Sequence, residues 1–233
     1  MEIKYSELVE VTKNNDVKYI HHTPMFRGYS HLALSSSWHP WSIKQIEAQY
    51  IYDFIKKFNL QNGFEVATGT GVSAFAAGLA FKETGGRLIT MDAYIEENRS
   101  DSHSYIGEQK TLYQDANGYR MISFLRDHFG LPIEVTVGWS PDDTESVANT
   151  SPELFDYVFI DALHTDDAVL KDLIAIEPFV NKANFAIFLH DTHAFGPRLH
   201  EYLLEKYGKS FTVCEGCNVN QGAFNLSVIT DLQ

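Results

Sequence analysis

Apolar and polar positions along the chain repeat with two periods. Ile43, Ile46, Tyr50, Ile51, Phe54 and Ile55 recur at helical spacing, which predicts a helix from about residue 42 that ends before Asn62-Gly63, a turn signal. Compact apolar runs and helical patterns then take turns. Strands are predicted over 64–67, 87–91, 133–137, 156–160 and 185–189, and helices over 73–82, 113–129, 166–179 and 197–207. Two further strands, 211–213 and 224–229, close the chain. Phe54, Phe75 and Phe124 fall on helical faces and are expected in the core. Strands that alternate with helices predict right-handed crossovers and a doubly wound, mostly parallel α/β sheet. The last two strands have no helix between them, so a hairpin with one antiparallel strand at the sheet edge is expected. Ligands of such sheets bind beyond the carboxyl ends of the strands. The positions to watch are therefore 65–71, Asp92, 138–140, 161–164 and 190–193.

Composition narrows the classes. A length of 233 residues suits one domain, here 42–233, preceded by a poorly periodic segment, 1–41, rich in His, Tyr, Ser and Trp. The formal net charge of -13 at pH 7 repels phosphates, and no Lys/Arg cluster offsets it, so a nucleic-acid partner is not expected. No apolar run reaches about 18 residues and the start lacks a basic-then-apolar pattern, so neither a membrane span nor a signal peptide is expected. A cytoplasmic enzyme is the resulting expectation. The two cysteines, Cys214 and Cys217, are too few for a disulfide scaffold and have no second pair to complete a zinc site. They read as two thiols in a turn between the terminal strands.

Chemistry concentrates at two strand ends. The first is Glu65-Val66-Ala67-Thr68-Gly69-Thr70-Gly71-Val72-Ser73, a glycine-bearing strand-to-helix turn, with Asp92 ending the next strand. Glycines allow the tight bend and close approach of a ligand, and a carboxylate about 20 residues on suits ribose hydroxyls. NAD is one candidate ligand. The segment lacks a full G-x-G-x-x-G, however, and Glu65 stands where a pyrophosphate would need no negative charge. An acidic loop suits a ligand without phosphates and with a positive charge, such as S-adenosylmethionine. The competing reading of Glu65 is a local cap or pair.

The segment 65–73 resembles motif I of class I methyltransferases, E-x-G-x-x-x-G in the small-molecule O-methyltransferases, and Gly138-Trp139-Ser140 resembles the segment on the adenine side. The resemblance implies a Rossmann-like, seven-stranded sheet with an antiparallel C-terminal hairpin strand. It implies S-adenosylmethionine as cofactor, with Glu65, Ala67, Gly69, Gly71, Ser73, Asp92, Ser140 and Asp161 around it. Ala67 stands where many relatives have the first glycine. Alanine takes negative φ in ordinary geometry, so an altered loop is expected there.

The second end is formed by Asp161-Ala162-Leu163-His164 after one apolar run and His190-Asp191-Thr192-His193 after the next. If those strands are neighbours, Asp161 and Asp191 converge. Two carboxylates with an imidazole suit a divalent cation that would bind acceptor oxygens and lower a hydroxyl pKa. The block is similar to that of the metal-dependent sugar and antibiotic O-methyltransferases. The resemblance implies Asp161 and Asp191 as ligands of Mg²⁺ or Mn²⁺ and His164 as base. His190 stands where many relatives carry an acid, and imidazole disfavours Mg²⁺. The competing reading makes both aspartates helix caps and His193 merely exposed.

The implied activity is methyl transfer to a hydroxyl of a sugar, glycan or small metabolite. The alternatives are an NAD-dependent oxidoreductase and a non-catalytic cofactor-binding module. Residues 1–41 suit a substrate cap or, equally, a subunit contact in a homo-oligomer. The polar connection 93–112 suits a substrate lid.

Overall fold

The computed structural model of the chain describes residues 43, 45–69, 71–93, 118–217 and 225–232. Residues 1–41 and nearly all of 93–112, with their cap, subunit-contact and lid expectations, lie outside the described residues, as does the side chain of Phe124.

Helix α1 (Gln45–Phe58) precedes β1 (Asn62–Val66), α2 (Val72–Thr84), β2 (Arg87–Asp92), α3 (Gly118–Phe129) and β3 (Ile133–Val137). A short α4 (Thr144–Ala148) leads to β4 (Tyr157–Ile160), α5 (Asp166–Ile176), β5 (Ala186–Leu189), α6 (Pro197–Tyr207), β6 (Thr212–Val213) and β7 (Ser227–Thr230). Single 3-10 turns, Glu177–Phe179 and Thr192–Ala194, follow α5 and β5. No helix among the described residues is long and apolar enough to cross a membrane.

The strands form one seven-stranded sheet in the order β3-β2-β1-β4-β5-β7-β6. β1 to β5 are parallel, and β7 is antiparallel to both its neighbours. The antiparallel strand is thus not at the edge, where the sequence reading put it. The terminal hairpin folds inward, so β7 takes the place beside β5 and the short β6 is left outermost. Asn62-Gly63 opens β1 rather than making a turn. The Asn62 amide donates to Ser151 Oγ and to the carbonyls of Glu153 and Leu154, and these bonds outweigh its local turn preference.

The central strands are apolar throughout because helices cover both faces. Tyr157, Phe159 and Phe188 pack with Ile51, Ile55, Phe75 and Phe81 of α1 and α2 on one face. Val158, Ile160, Ile187 and Leu189 pack with Leu173 of α5 and Leu199 of α6 on the other. Phe54 and Phe75 are core residues as expected. Ile46 is exposed, whereas Glu47 takes the inward place beside it.

Register positions the site. Met91, Val66, Ile160 and Leu189 are cross-strand partners along β2, β1, β4 and β5. The next residue of each strand is Asp92, Ala67, Asp161 and His190, so these four stand side by side at the carboxyl edge. Strand order reverses at β1 and β4, the switch point where such sheets open a crevice.

Candidate active site

The first half of the site grows from β1 and β2. Glu65 is fully buried, opposite Thr90 in the register, and the Thr90 hydroxyl donates to Glu65 Oε2. Thr68 Oγ1 lies 2.7 Å from Thr90 Oγ1, extending this chain into the loop. Glu65 Oε1 makes no hydrogen bond. Burial pushes the Glu65 carboxyl up to about 8; the hydroxyls of Ser73 and Thr90 oppose the shift, and the charges of Asp161 and Asp92 add to it. A buried carboxyl with an open oxygen beside a ligand loop is suited to a cation.

The loop itself corrects one expectation. Ala67 adopts φ 70, a left-handed conformation that favours glycine, while its N–H donates to Met91 O at 2.8 Å. The backbone keeps the turn and the alanine carries the strain, on the order of 1–2 kcal/mol. Gly69 and Gly71 also have positive φ, and Gly71 caps α2. Gly69 N–H donates to Asp92 Oδ2 at 2.9 Å, so the acid ending β2 is fixed against the loop. Ser73 lies in the first turn of α2, buried.

After β3, Gly138 N–H donates to Asp92 O, and a Cβ at Gly138 would stand 2.7 Å from Met91 Sδ. Trp139 N–H donates to Asp143 Oδ2. The Ser140 hydroxyl donates to Asp172 Oδ1 at 2.5 Å and lies 3.1 Å from Thr144 Oγ1. It is directed to α5 rather than along the strand ends. Burial raises Asp172 to about 6, against the Ser140 hydrogen bond.

The second half gathers beyond β4 and β5. The sequence reading brought Asp161, His164, His190 and Asp191 together, and all four are in contact. His164 is clamped by both ring nitrogens, with Nε2 3.1 Å from Asp161 Oδ1 and Nδ1 2.9 Å from Asp191 Oδ2. Its side chain is 36% exposed, on the solvent side of the cluster. His190 is buried, with Nδ1 3.1 Å from Asp161 Oδ1 and 3.4 Å from Asp191 Oδ1. Its Nε2 lies 3.3 Å from Glu47 Oε2 of α1, a fully buried carboxylate.

Charges in the cluster balance locally. Burial works against the charge of Asp161, but His190 and His164 outweigh it and hold the carboxyl at about 2. Hydrogen bonds to Asp161 and Asp191, against some burial, push His164 up to about 9. Burial opposes the charge of His190, yet Asp161 and then Glu47 push it up to about 11. His164 thus holds its proton at neutral pH in this arrangement and acts as a base only after release from its carboxylate partners.

Asp191 sits at φ 55 and caps the 3-10 turn Thr192–Ala194 with no side-chain cap bond. The capping alternative therefore fails for its side chain, which points into the cluster. The cap of α5 is Thr165, not Asp161. Among the described residues, Asp161, His190 and Asp191 each offer a ligand atom, all within 4.8 Å of one another. Asp191 Oδ1 is buried without a hydrogen bond. This donor set fits a divalent cation, and its nitrogen suits a transition ion better than Mg²⁺. His193 is exposed. Cys214 and Cys217 are buried thiols that form no disulfide with each other; they lie in the turn after β6, where Cys217 N–H donates to Cys214 O.

Two residues of the site escaped the sequence reading. Glu47 is four residues after Ile43 and four before Ile51, so a carboxylate inside the apolar stripe of α1 was its available signal. Thr90, in an otherwise apolar strand, was the corresponding signal beside Glu65.

Strand order, the β1 loop and the acid after β2 are those of the class I methyltransferase fold. A family model described as a methyltransferase domain matches residues 64–192, more than half of the chain, and the chain belongs to that family. Solved structures agree on the fold. The O-methyltransferase TomG of Streptomyces achromogenes, involved in tomaymycin synthesis and solved with S-adenosylmethionine, superposes with a TM-score of 0.56 at 14% identity, covering 87% of this chain and 86% of that one. An O-methyltransferase from Bacillus cereus with bound S-adenosylhomocysteine gives 0.54 at 16% identity, covering 96% and 90%. The methyltransferase PaMTH1 of Podospora anserina, bound to S-adenosylhomocysteine, gives 0.55 at 11% identity, covering 98% and 96%. No functionally curated protein matches the sequence.

Proposed function

We propose that the protein transfers the methyl group of S-adenosylmethionine to a hydroxyl of a small acceptor (a sugar, glycan or metabolite) beside a divalent cation held by Asp161, His190 and Asp191. The observation that carries this reading is the adjacency of the two halves. Ala67 and Asp161 follow directly paired residues, so the cofactor loop and the carboxylate–imidazole cluster share one edge.

Bound S-adenosylmethionine supplies an electrophilic methyl on a sulfonium, and its transfer is an in-line displacement in which positioning does much of the work. A cation in the cluster would supply Lewis acidity toward an acceptor oxygen. Glu65 offers a buried negative charge to the cationic end of the cofactor, and Ser73 lies beside it. Gly69 and Gly71 keep side chains out of the loop. Asp92, fixed by Gly69 at the end of β2, is placed to meet the ribose hydroxyls. Ser140 contributes through the backbone of its segment, because Asp172 holds its hydroxyl. Asp161 orients His164, whose partly exposed ring can take the acceptor proton once it has given up its own to solvent. The acidic surface fits a neutral or cationic acceptor better than a polyanion.

Calorimetric titration with S-adenosylmethionine and with NAD, followed by an acceptor screen with and without EDTA, tests the reading. Binding of S-adenosylmethionine with cation-dependent methylation of a hydroxyl is the expected result. Full transfer after chelation removes the cation from the mechanism, and binding of NAD alone overturns the proposal.

A further inference from the structure

Glu47 stands outside every motif that marked the site. It comes from α1, 143 residues before His190, and both side chains are buried. A carboxylate in an apolar helix stripe is costly unless a partner compensates it. One such partner is His190 Nε2, at 3.3 Å. A hydrogen bond there places the Nε2 proton toward Glu47 and turns Nδ1 toward Asp161 and Asp191, at 3.1 Å and 3.4 Å, where a bound cation would take the place of the Nδ1 proton and release it to solvent. A carboxylate behind an imidazole whose other nitrogen faces anionic oxygens is the outer-shell arrangement that fixes ring orientation and raises ligand basicity at metal centres. Asp191 supplies an independent observation. It is 4% exposed, and its Oδ1, which faces the same Nδ1, makes no hydrogen bond.

We propose that Glu47 is a positioning residue that presents His190 Nδ1 as a ligand, so that Asp161, His190 and Asp191 form a mixed nitrogen–oxygen centre selective for a first-row transition dication over Mg²⁺. The proposal rests on the cation site of the preceding section and adds its donor chemistry and its selectivity. Oxygen-only sites suit Mg²⁺, whereas imidazole nitrogen favours first-row transition ions, of which Mn²⁺ binds most weakly and is therefore a stringent probe. Glu47 reaches the cation only through the ring, so its removal should change affinity and selectivity without deleting a ligand.

The test is Mn²⁺ binding to the full chain, read by loss of the free-ion electron paramagnetic resonance signal, with Mg²⁺ as competitor. Wild type is expected to bind one Mn²⁺ that a hundredfold excess of Mg²⁺ does not displace. Its bound spectrum should show coupling to a ¹⁴N nucleus. Glu47→Gln should weaken Mn²⁺ by about 10- to 100-fold. His190→Asp should lose the nitrogen coupling and shift preference toward Mg²⁺. No Mn²⁺ or Mg²⁺ binding to wild type sinks the cation site itself. Binding that is lost in Asp191→Asn but shows no ¹⁴N coupling, or is displaced readily by Mg²⁺, keeps the site and overturns the inference. Unchanged affinity in folded Glu47→Gln overturns the role of Glu47. The nitrogen coupling of wild type decides the ligand question even if that variant does not fold.

Discussion

Thr90 donates its hydroxyl proton to Glu65 Oε2 from the position directly across the β1–β2 ladder, and the Ser73 hydroxyl adds to it. These hydroxyls do not offset full burial, so the carboxyl stays protonated up to about pH 8. The charges facing it are Asp92 and Asp161, both negative, and the Tyr157 phenol lies on the neighbouring strand.

A cationic cofactor favours the ionised form of Glu65, so binding should release a proton below pH 8. Affinity for S-adenosylmethionine is expected to rise with pH, by at most about tenfold per unit, and to level off above about pH 8. Calorimetry at pH 6.5 and pH 9 checks this. Glu65→Gln should bind more weakly at high pH and show a flat profile, and a pH-independent wild type would count against contact between Glu65 and the cofactor charge.

The same shift bears on stability. The folded pKa of Glu65 is raised above its unfolded value of 4.5, so the native state holds a proton that the unfolded chain gives up. The stability of the cofactor-free protein should therefore fall as pH rises from about 4.5 to about 8, through this group. Thermal melts of wild type and Glu65→Gln across that window check it; the variant should lose less stability than wild type.

Ala67→Gly should leave stability unchanged or raise it by up to about 1 kcal/mol, since relief of left-handed strain outweighs or matches the added chain entropy. Ala67→Val should lower it by more than 1 kcal/mol, on the order expected for a β-branched residue at positive φ. Chemical denaturation measures both. A clear loss of stability in the glycine variant would mean that the backbone there is not left-handed.

Ser140→Ala should weaken S-adenosylmethionine binding by less than about threefold, yet destabilise the protein by about 1–3 kcal/mol, because Asp172 is left buried without its donor. A large loss of cofactor affinity with unchanged stability would instead place the hydroxyl on the cofactor.

Asp161→Asn should lower the pKa of His164 from about 9, since its first partner loses its charge, and should reduce methyl transfer by at least about a hundredfold. NMR titration of the His164 ring reads the first effect and a single-turnover assay the second.

What the sequence made legible follows from burial. β4 and β5 are covered on both faces, so Tyr157 to Ile160 and Ala186 to Leu189 appear as uninterrupted apolar runs, and the acids after them could be located. Helix α4 has only five residues, too short to show a period. The inward fold of the terminal hairpin leaves no local mark, because order within a sheet is a tertiary choice. Ala67 shows the limit of residue-by-residue reasoning. Its intrinsic preference is for negative φ, but the ladder bond to Met91 on one side and the Gly71 cap on the other dictate the turn. Glu47 was hidden because its partner lies on the last parallel strand, and chain separation of that size carries no signal in a single sequence.

The alignment of β4 with β5 has a consequence for folding. A slip of one residue would bring Asp191, instead of His190, beside Asp161 and turn the imidazole to the opposite face of the sheet. Glu47 would then lose its contact with His190. That contact between α1 and the end of β5 thus acts as a proofreader of strand alignment: the correctly paired sheet is what brings the imidazole to the carboxyl group.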